Sequence, residues 1–147
     1  MLVVNWNTSK LLQACLNSIY ARTANCQFEV IVIDNASSDD SAAMVKKEFP
    51  QVILIENSEN RGFAAANNQG MAIARGRYVL LPNPDTIVLD KAIEKTMAFA
   101  DLHPDVGVVG CQVLKNETKI QCTCFAFPSI GNRMEDGQPF SEELQKE

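Results

Sequence analysis

The chain has 147 residues, 46% hydrophobic and 21% charged, with a formal net charge of −5. That length suffices for one sizeable core, and the acidic balance argues against a general nucleic-acid binder, whose affinity depends on basic surface. No apolar run reaches the roughly 20 residues of a membrane helix, and Met1-Leu2-Val3-Val4-Asn5 lacks the basic lead-in and long apolar segment of a signal peptide.

Met1 to Asn5 reads as an apolar strand, which Asn5-Trp6-Asn7-Thr8-Ser9 then breaks. Thr8 or Ser9 is suited to cap a helix in which Leu11, Leu12, Cys15, Leu16 and Ile19 recur at helical spacing. Trp6, the only tryptophan, is either a packing residue or a flat platform for a ring such as a nucleobase. Phe28 to Ile33 is nearly continuous in apolar residues, as a parallel strand buried on both faces should be. It runs into Asp34-Asn35-Ala36-Ser37-Ser38-Asp39-Asp40-Ser41, a loop able to turn and to cap. A helix with Met44, Val45 and Phe49 on one side follows, closed by Pro50. Asp34 is either a turn former or a ligand group at a strand end.

Val52 to Ile55 predicts a third strand, and Ala64 to Ala74 a closely packed helix. Between them, Gly62 suggests an unusual dihedral. Arg61 lies just before a helix N-terminus, where anions bind favourably; the alternative is a solvated charge. After a turn at Arg75-Gly76-Arg77, Tyr78 to Leu81 predicts a buried strand. Pro82-Asn83-Pro84 stops it and delivers Asp85 to its tip. Asp90 is suited to cap the next helix, which ends near His103-Pro104; no nucleophile or carboxylate partner marks His103 as catalytic. Val106 to Leu114 predicts a strand, Lys115 to Thr118 a hairpin turn and Ile120 to Phe127 the return strand. Beyond Pro128 the chain is polar, with Ser141 to Glu147 a short helix or frayed tail. Cys122-Thr123-Cys124 is the one close cysteine pair and has no partner CxxC, so reduced thiols are expected rather than a structural zinc site or a disulfide framework.

Strands alternating with helices predict an α/β fold, a mostly parallel sheet with helices on its faces. In such a sheet Asn5-Trp6-Asn7, Asp34-Asn35, Asn60-Arg61-Gly62 and Asn83-Pro84-Asp85 all fall on the edge where ligands bind. An aromatic plate, carboxylates and an arginine together suit a nucleotide diphosphate. Asp85 would hold a bridging Mg²⁺ or Mn²⁺, which hard oxygen ligands suit. Neither a Walker lysine loop nor a GxGxxG fingerprint occurs.

Four stretches carry a family resemblance: Val4-Asn5-Trp6-Asn7, Val32 to Asp39, Asn60-Arg61-Gly62-Phe63-Ala64 with Asn67, and Leu81 to Thr86. In order and spacing the chain resembles the nucleotide-binding half of family 2 glycosyltransferases of the GT-A fold, in particular the rhamnosyltransferase-like branch. The resemblance covers roughly residues 1–129, which implies a nucleotide-sugar-binding domain there and a polar tail over 130–147. It implies a dTDP- or UDP-sugar donor bound by Asn5, Trp6, Asn7, Asp34, Asn35, Asp39, Arg61, Gly62, Asn67 and Asn83. Trp6 then packs near the base, Asp34 contacts base or ribose, and Asp39 is a weaker candidate for the same pocket. Asn83-Pro84-Asp85 takes the place of the family's DxD motif, with Asp85 its last aspartate and metal ligand. As the lone carboxylate there, Asp85 implies thinner metal coordination than in members with two aspartates.

The resemblance implies that the family's acceptor half is largely absent here and that its catalytic base is missing with it. Glu135-Asp136 is a carboxylate pair, but its surroundings do not match the base motif. The implied whole-enzyme reaction is inverting transfer of a rhamnose-like hexose to a glycan or lipid-linked acceptor in polysaccharide biosynthesis. A base deprotonates the acceptor hydroxyl, which attacks the anomeric carbon in line as the diphosphate departs. The implied setting is cytoplasmic, with the full-length enzyme at the inner face of the membrane. An apolar sheet face awaiting the second half would support self-association. The alternative is a catalytically silent nucleotide-sugar-binding module. A nucleotidyltransferase would need a Gly-rich basic loop after the first strand, where Asn5-Trp6-Asn7 stands.

Overall fold

The computed structural model describes residues 1–116 and 119–121. These fall in two compact units, Met1–Gly107 and a second beginning at Val108. The first unit is an α/β fold. Its elements are β1 (Leu2–Asn5), α1 (Ser9–Arg22), β2 (Ile31–Asp34), α2 (Ser41–Glu48), β3 (Ile53–Glu56), α3 (Phe63–Ile73) and α4 (Ala92–Leu102). The three strands pair in parallel in the order β1-β2-β3.

Side chains on a strand alternate between faces, and the core divides accordingly. Val3, Val30 and Val32 pack with Leu12, Cys15, Leu16 and Ile19 of α1 and with Met44 and Val45 of α2. Leu2, Ile31 and Ile33 form a second cluster on the opposite face with Ala66 of α3. Every residue of β2 is buried, as its near-continuous apolar run predicts. Each such Ile or Val contributes roughly 1.5–3 kcal/mol. Gly70 lets α3 lie close on the sheet: a Cβ there would stand 3.0 Å from side-chain atoms of Ile33 and Leu2.

Several expectations are corrected. Tyr78 to Leu81 is not a buried ladder strand. It runs beside β1 through one backbone hydrogen bond, from the Leu2 N–H to the Leu80 carbonyl at 2.9 Å, and Tyr78, Val79 and Leu81 are exposed. Pro82 and Pro84 remove donors where the ladder would continue. Asp90 does not cap α4; the cap position is Lys91, and both residues have positive φ, 42° and 57°. Thr8 is the cap residue of α1 but gives its side chain to Asn5 instead.

In the second unit, β4 (Leu114–Asn116) pairs antiparallel with β5 (Lys119–Ile120). A hairpin forms where one is expected, but Val106 to Val113 is not strand. The rest of the return strand, Cys122-Thr123-Cys124, Glu135-Asp136 and the 130–147 tail lie outside the described residues. Among the described residues, no helix is long and apolar enough to cross a membrane.

Candidate functional site

The ladder sets Asn5, Asp34 and Glu56 side by side, so the loops after β1, β2 and β3 leave the sheet from one edge. Asn5, fully buried, donates from Nδ2 to Asp34 Oδ1 at 2.9 Å and to Ser37 Oγ at 3.1 Å. Its Oδ1 accepts from the Thr8 hydroxyl at 2.6 Å. The other oxygen of the buried Asp34 accepts from the Ser37 N–H at 3.0 Å. Asn7, at a left-handed φ of 54°, donates its N–H to Ser37 Oγ at 2.9 Å and accepts from the Ser38 N–H at 2.7 Å. The first two loops are thus stitched together, and Trp6 stands out between stitched neighbours, 56% exposed. That exposure excludes a core-packing role for Trp6 and is consistent with either a rim residue or a platform.

Asp39 ties the same loops from below. One carboxylate oxygen accepts from the Ser9 N–H at 2.9 Å, in the first turn of α1. The other accepts from the Ser41 N–H at 3.0 Å, in the first turn of α2, and from the Ser41 hydroxyl. Both helix starts supply orphan donors that need such an acceptor. What burial Asp39 has pushes its pKa up, but the hydrogen bonds from Ser41 and Ser9 outweigh it and hold the group below its ordinary value.

The β3–α3 loop joins through Asn35, which is buried. Asn35 Nδ2 donates to Asn60 Oδ1 at 2.8 Å, and Asn35 Oδ1 accepts from the Arg61 N–H at 3.0 Å. Asn57 donates to the same Oδ1 at 3.1 Å and exchanges two 2.9 Å hydrogen bonds with Gln69 of α3. Gly62 has φ 76° and ψ 166°, a region open in practice only to glycine. Arg61 is exposed, and its guanidinium has no partner among the described residues. Asn67 is buried in α3, donating to the Phe63 carbonyl at 3.0 Å, while its buried Oδ1 has no partner among the described residues.

The loop after Leu81 is held differently, from α1 beneath it. The Cys15 thiol lies 3.7 Å from the Asn83 carbonyl, and Ser18 Oγ accepts from the Val88 N–H at 2.9 Å. A turn closes with the Thr86 N–H on the Asn83 carbonyl at 3.1 Å. Burial, with the Asp85 charge adding to it, pushes the Cys15 thiol up to about 11, so it stays protonated and unreactive. Asn83 and Asp85 are exposed. The Asp85 carboxylate takes no hydrogen bond or ion pair among the described residues.

Among the described residues no group of three His, Cys, Asp or Glu could cage a metal. An unpaired, exposed carboxylate still fits an ion of the Mg²⁺ type, which keeps waters and binds through one or two carboxylates plus substrate phosphates. Hydrogen bonds thus tie Asn5, Asn7 and Asp34 into one cluster and Asn35, Arg61 and Gly62 into a second, joined to the first by the Asn35 N–H on the Asn5 carbonyl at 2.8 Å. Asp39 braces the helix starts separately, Trp6 lies in the first loop, and Asn67 and the Asn83–Asp85 loop lie outside these bonds. Ser37, Asn57, Gln69, Cys15 and Ser18 support these loops but do not stand out in sequence. An Asn-rich strand end was the one signal for Asn57. His103 stacks on Phe99 at 4.0 Å and bonds its carbonyl at 2.8 Å, a local packing role.

The chain is 30% identical over 104 residues to an uncharacterised glycosyltransferase of Methanocaldococcus jannaschii, covering 68% of the chain and 36% of that protein. It is 29% identical over 100 residues to a poly(ribitol-phosphate) beta-glucosyltransferase of Bacillus spizizenii, covering 65% and 16%. The chain thus spans well under half the length of these relatives. The structure superposes on Staphylococcus aureus TarS 1-349 in complex with UDP with a TM-score of 0.62 and 26% identity, over 70% of the chain and 32% of that TarS 1-349 chain. It superposes equally, at 25% identity, on a mannosyltransferase from Pyrobaculum calidifontis in complex with GDP-Man and Mn²⁺, over 67% and 31%. These are glycosyltransferases of the GT-A fold, the fold of this sheet and its helices. Residues 1–123 match the glycosyl transferase family 2, and the chain belongs to that family.

Proposed function

We propose that this chain is the donor-binding part of an inverting glycosyltransferase that takes a hexose, rhamnose or a close relative, from a UDP- or dTDP-sugar. The observation that carries the reading is the single sheet edge on which Asn5, Asp34 and Asn35 bind the loops presenting Trp6 and Arg61. On this reading Trp6 stacks on the base, Asp34 meets base or ribose, and Arg61 pairs with the diphosphate. Asn5, Asn7 and Asp39 act by fixing these loops. Asn67 and Asn83 complete the donor site, Asn83 beside the metal ligand.

Asp85 would hold Mg²⁺ or Mn²⁺. When bound, such an ion neutralises charge on the departing diphosphate. The protein's own residues bind and orient the donor, exclude water from the base and hold the diphosphate oxygens against Arg61. None of them is assigned as the base that deprotonates the acceptor hydroxyl. In the whole enzyme that acceptor is a glycan or lipid-linked saccharide, met on the cytoplasmic face of a membrane. The relative acting on poly(ribitol-phosphate) and the neighbours holding UDP or GDP-Man support this class of donor and acceptor.

The test is calorimetry with UDP and dTDP in Mn²⁺ or Mg²⁺, repeated in EDTA. Binding that weakens on chelation is expected. Absence of heat with either nucleotide in either metal would overturn the reading.

A further inference from the structure

The loop that carries Arg61 is built around a side chain from another loop, and that side chain has little bonding capacity left for a ligand. Asn35 follows β2 and is 2% exposed. A side-chain amide offers two N–H donors and two acceptor lone pairs. Asn35 Oδ1 accepts from the Arg61 N–H at 3.0 Å and from Asn57 Nδ2 at 3.1 Å. Asn35 Nδ2 donates to Asn60 Oδ1 at 2.8 Å and reaches the Gly62 carbonyl at 3.5 Å. Chemistry dictates which way the amide faces, because the Arg61 N–H requires an oxygen and the Gly62 carbonyl a donor.

The same amide therefore grips the backbone on both sides of Arg61. Asn60 Oδ1 adds a 2.9 Å hydrogen bond from the Gly62 N–H, which holds the glycine at its positive φ of 76°. Asn57, held by Gln69, braces Asn35 from behind. Backbone order ends at the guanidinium, which is exposed and without a protein partner among the described residues. A fixed backbone under a free cation lowers the ordering cost when an anion arrives.

We infer that Asn35 is a positioning residue, which acts on the nucleotide through Arg61 and makes no contact with it. Its buried amide sets the Asn60-Arg61-Gly62 backbone so that the guanidinium meets the diphosphate. This rests on the nucleotide-diphosphate reading above. It gives Asn35 a different task from the direct contact its motif implies.

The experiment is a double-mutant cycle on UDP binding in Mn²⁺, with Asn35→Ala, Arg61→Ala and the double variant. Hydrogen exchange at the Arg61 amide, measured without nucleotide, runs beside it. Arg61→Ala is expected to weaken UDP binding about tenfold or more. Asn35→Ala should weaken it nearly as much, and the double variant should be no worse than Arg61→Ala alone. The Arg61 amide should exchange faster once Asn35 is cut back. An Asn35→Ala penalty that persists in full without Arg61, or an unchanged Arg61 amide, would overturn the assignment. Asn35→Asp serves where Asn35→Ala fails to fold. It keeps an acceptor for the Arg61 N–H but loses the donor to Asn60 and Gly62, so an intermediate loss is expected, and again none without Arg61. If wild-type protein binds no UDP, the nucleotide reading falls and takes the ligand role of Asn35 with it. The exchange measurement separately decides whether Asn35 sets the loop.

Discussion

Asp34 ends β2 and Asp85 lies in the turn that follows Tyr78 to Leu81, and their surroundings are opposite. Asp34 is buried, its strand is paired on both sides, and its two oxygens are engaged by Asn5 and Ser37. Asp85 is exposed, follows a segment tied to β1 by one backbone hydrogen bond, and accepts from no protein group among the described residues. The first carboxylate is part of what folds the edge. The second contributes little to the fold and is left available. A site can be preorganised on one side and open on the other, and the open side is where an ion with its own waters and phosphate ligands fits.

The strongest way to break that comparison is Asp34→Ala. It removes the acceptor for a buried amide and for the Ser37 N–H, so it should cost about 2–3 kcal/mol of unfolding free energy. Urea denaturation followed by circular dichroism reads this. A cost as small as that of an exposed substitution would mean that the Asn5–Asp34 pair does not organise the edge.

Asp39→Ala should rank next, at about 1–2 kcal/mol, because one carboxylate serves the first turns of both α1 and α2. The pH dependence has a definite sign. Hydrogen bonds hold the folded-state pKa of Asp39 below its unfolded value. Its stabilisation is therefore complete above about pH 4, the unfolded carboxylate value, and is lost as pH falls through the folded one. Wild type and Asp39→Ala should converge in stability as the pH is lowered below that point. A gap that stays constant under acid would show that the caps do not act through the ionised carboxylate.

The sequence made the first region more legible than the second. The unbroken apolar runs of Leu2-Val3-Val4 and Ile31-Val32-Ile33 carry the strand signal directly, because burial on both sheet faces is written residue by residue. The parallel arrangement followed from strands separated by helices. Tyr78 to Leu81 has the same apolar character, but its exposure depends on which segments flank it, and composition does not encode that. The cap residues failed for a related reason. Thr8 and Asp90 are suited to capping by type, yet the acceptor for the start of α1 comes from Asp39 in another loop, a partner no local window contains. The site residues were legible as a set of polar strand ends. What was not legible is the division of labour among them, since only three-dimensional contacts reveal that Asn35 and Asp39 are occupied while Trp6, Arg61 and Asp85 have no hydrogen-bonding side-chain partner among the described residues.

The smallest expected stability effect is the sharpest test. Asp85→Ala removes an exposed carboxylate with no protein partner among the described residues, so its unfolding free energy should match wild type within about 0.5 kcal/mol. Cys15 provides a structural control, since the Asp85 charge adds to burial in raising its thiol pKa. In the variant that pKa should fall but stay above its ordinary value of 9.0, because burial is the larger cause. Titration of the Cys15 ¹³Cβ NMR shift against pH measures it. UDP binding in Mn²⁺ should meanwhile drop to the level wild type shows in EDTA, with chelation having no further effect. A fold left intact with metal dependence erased separates the open carboxylate from the structural ones. Metal-dependent affinity that survives in Asp85→Ala would place the ion elsewhere and dissolve the contrast with Asp34.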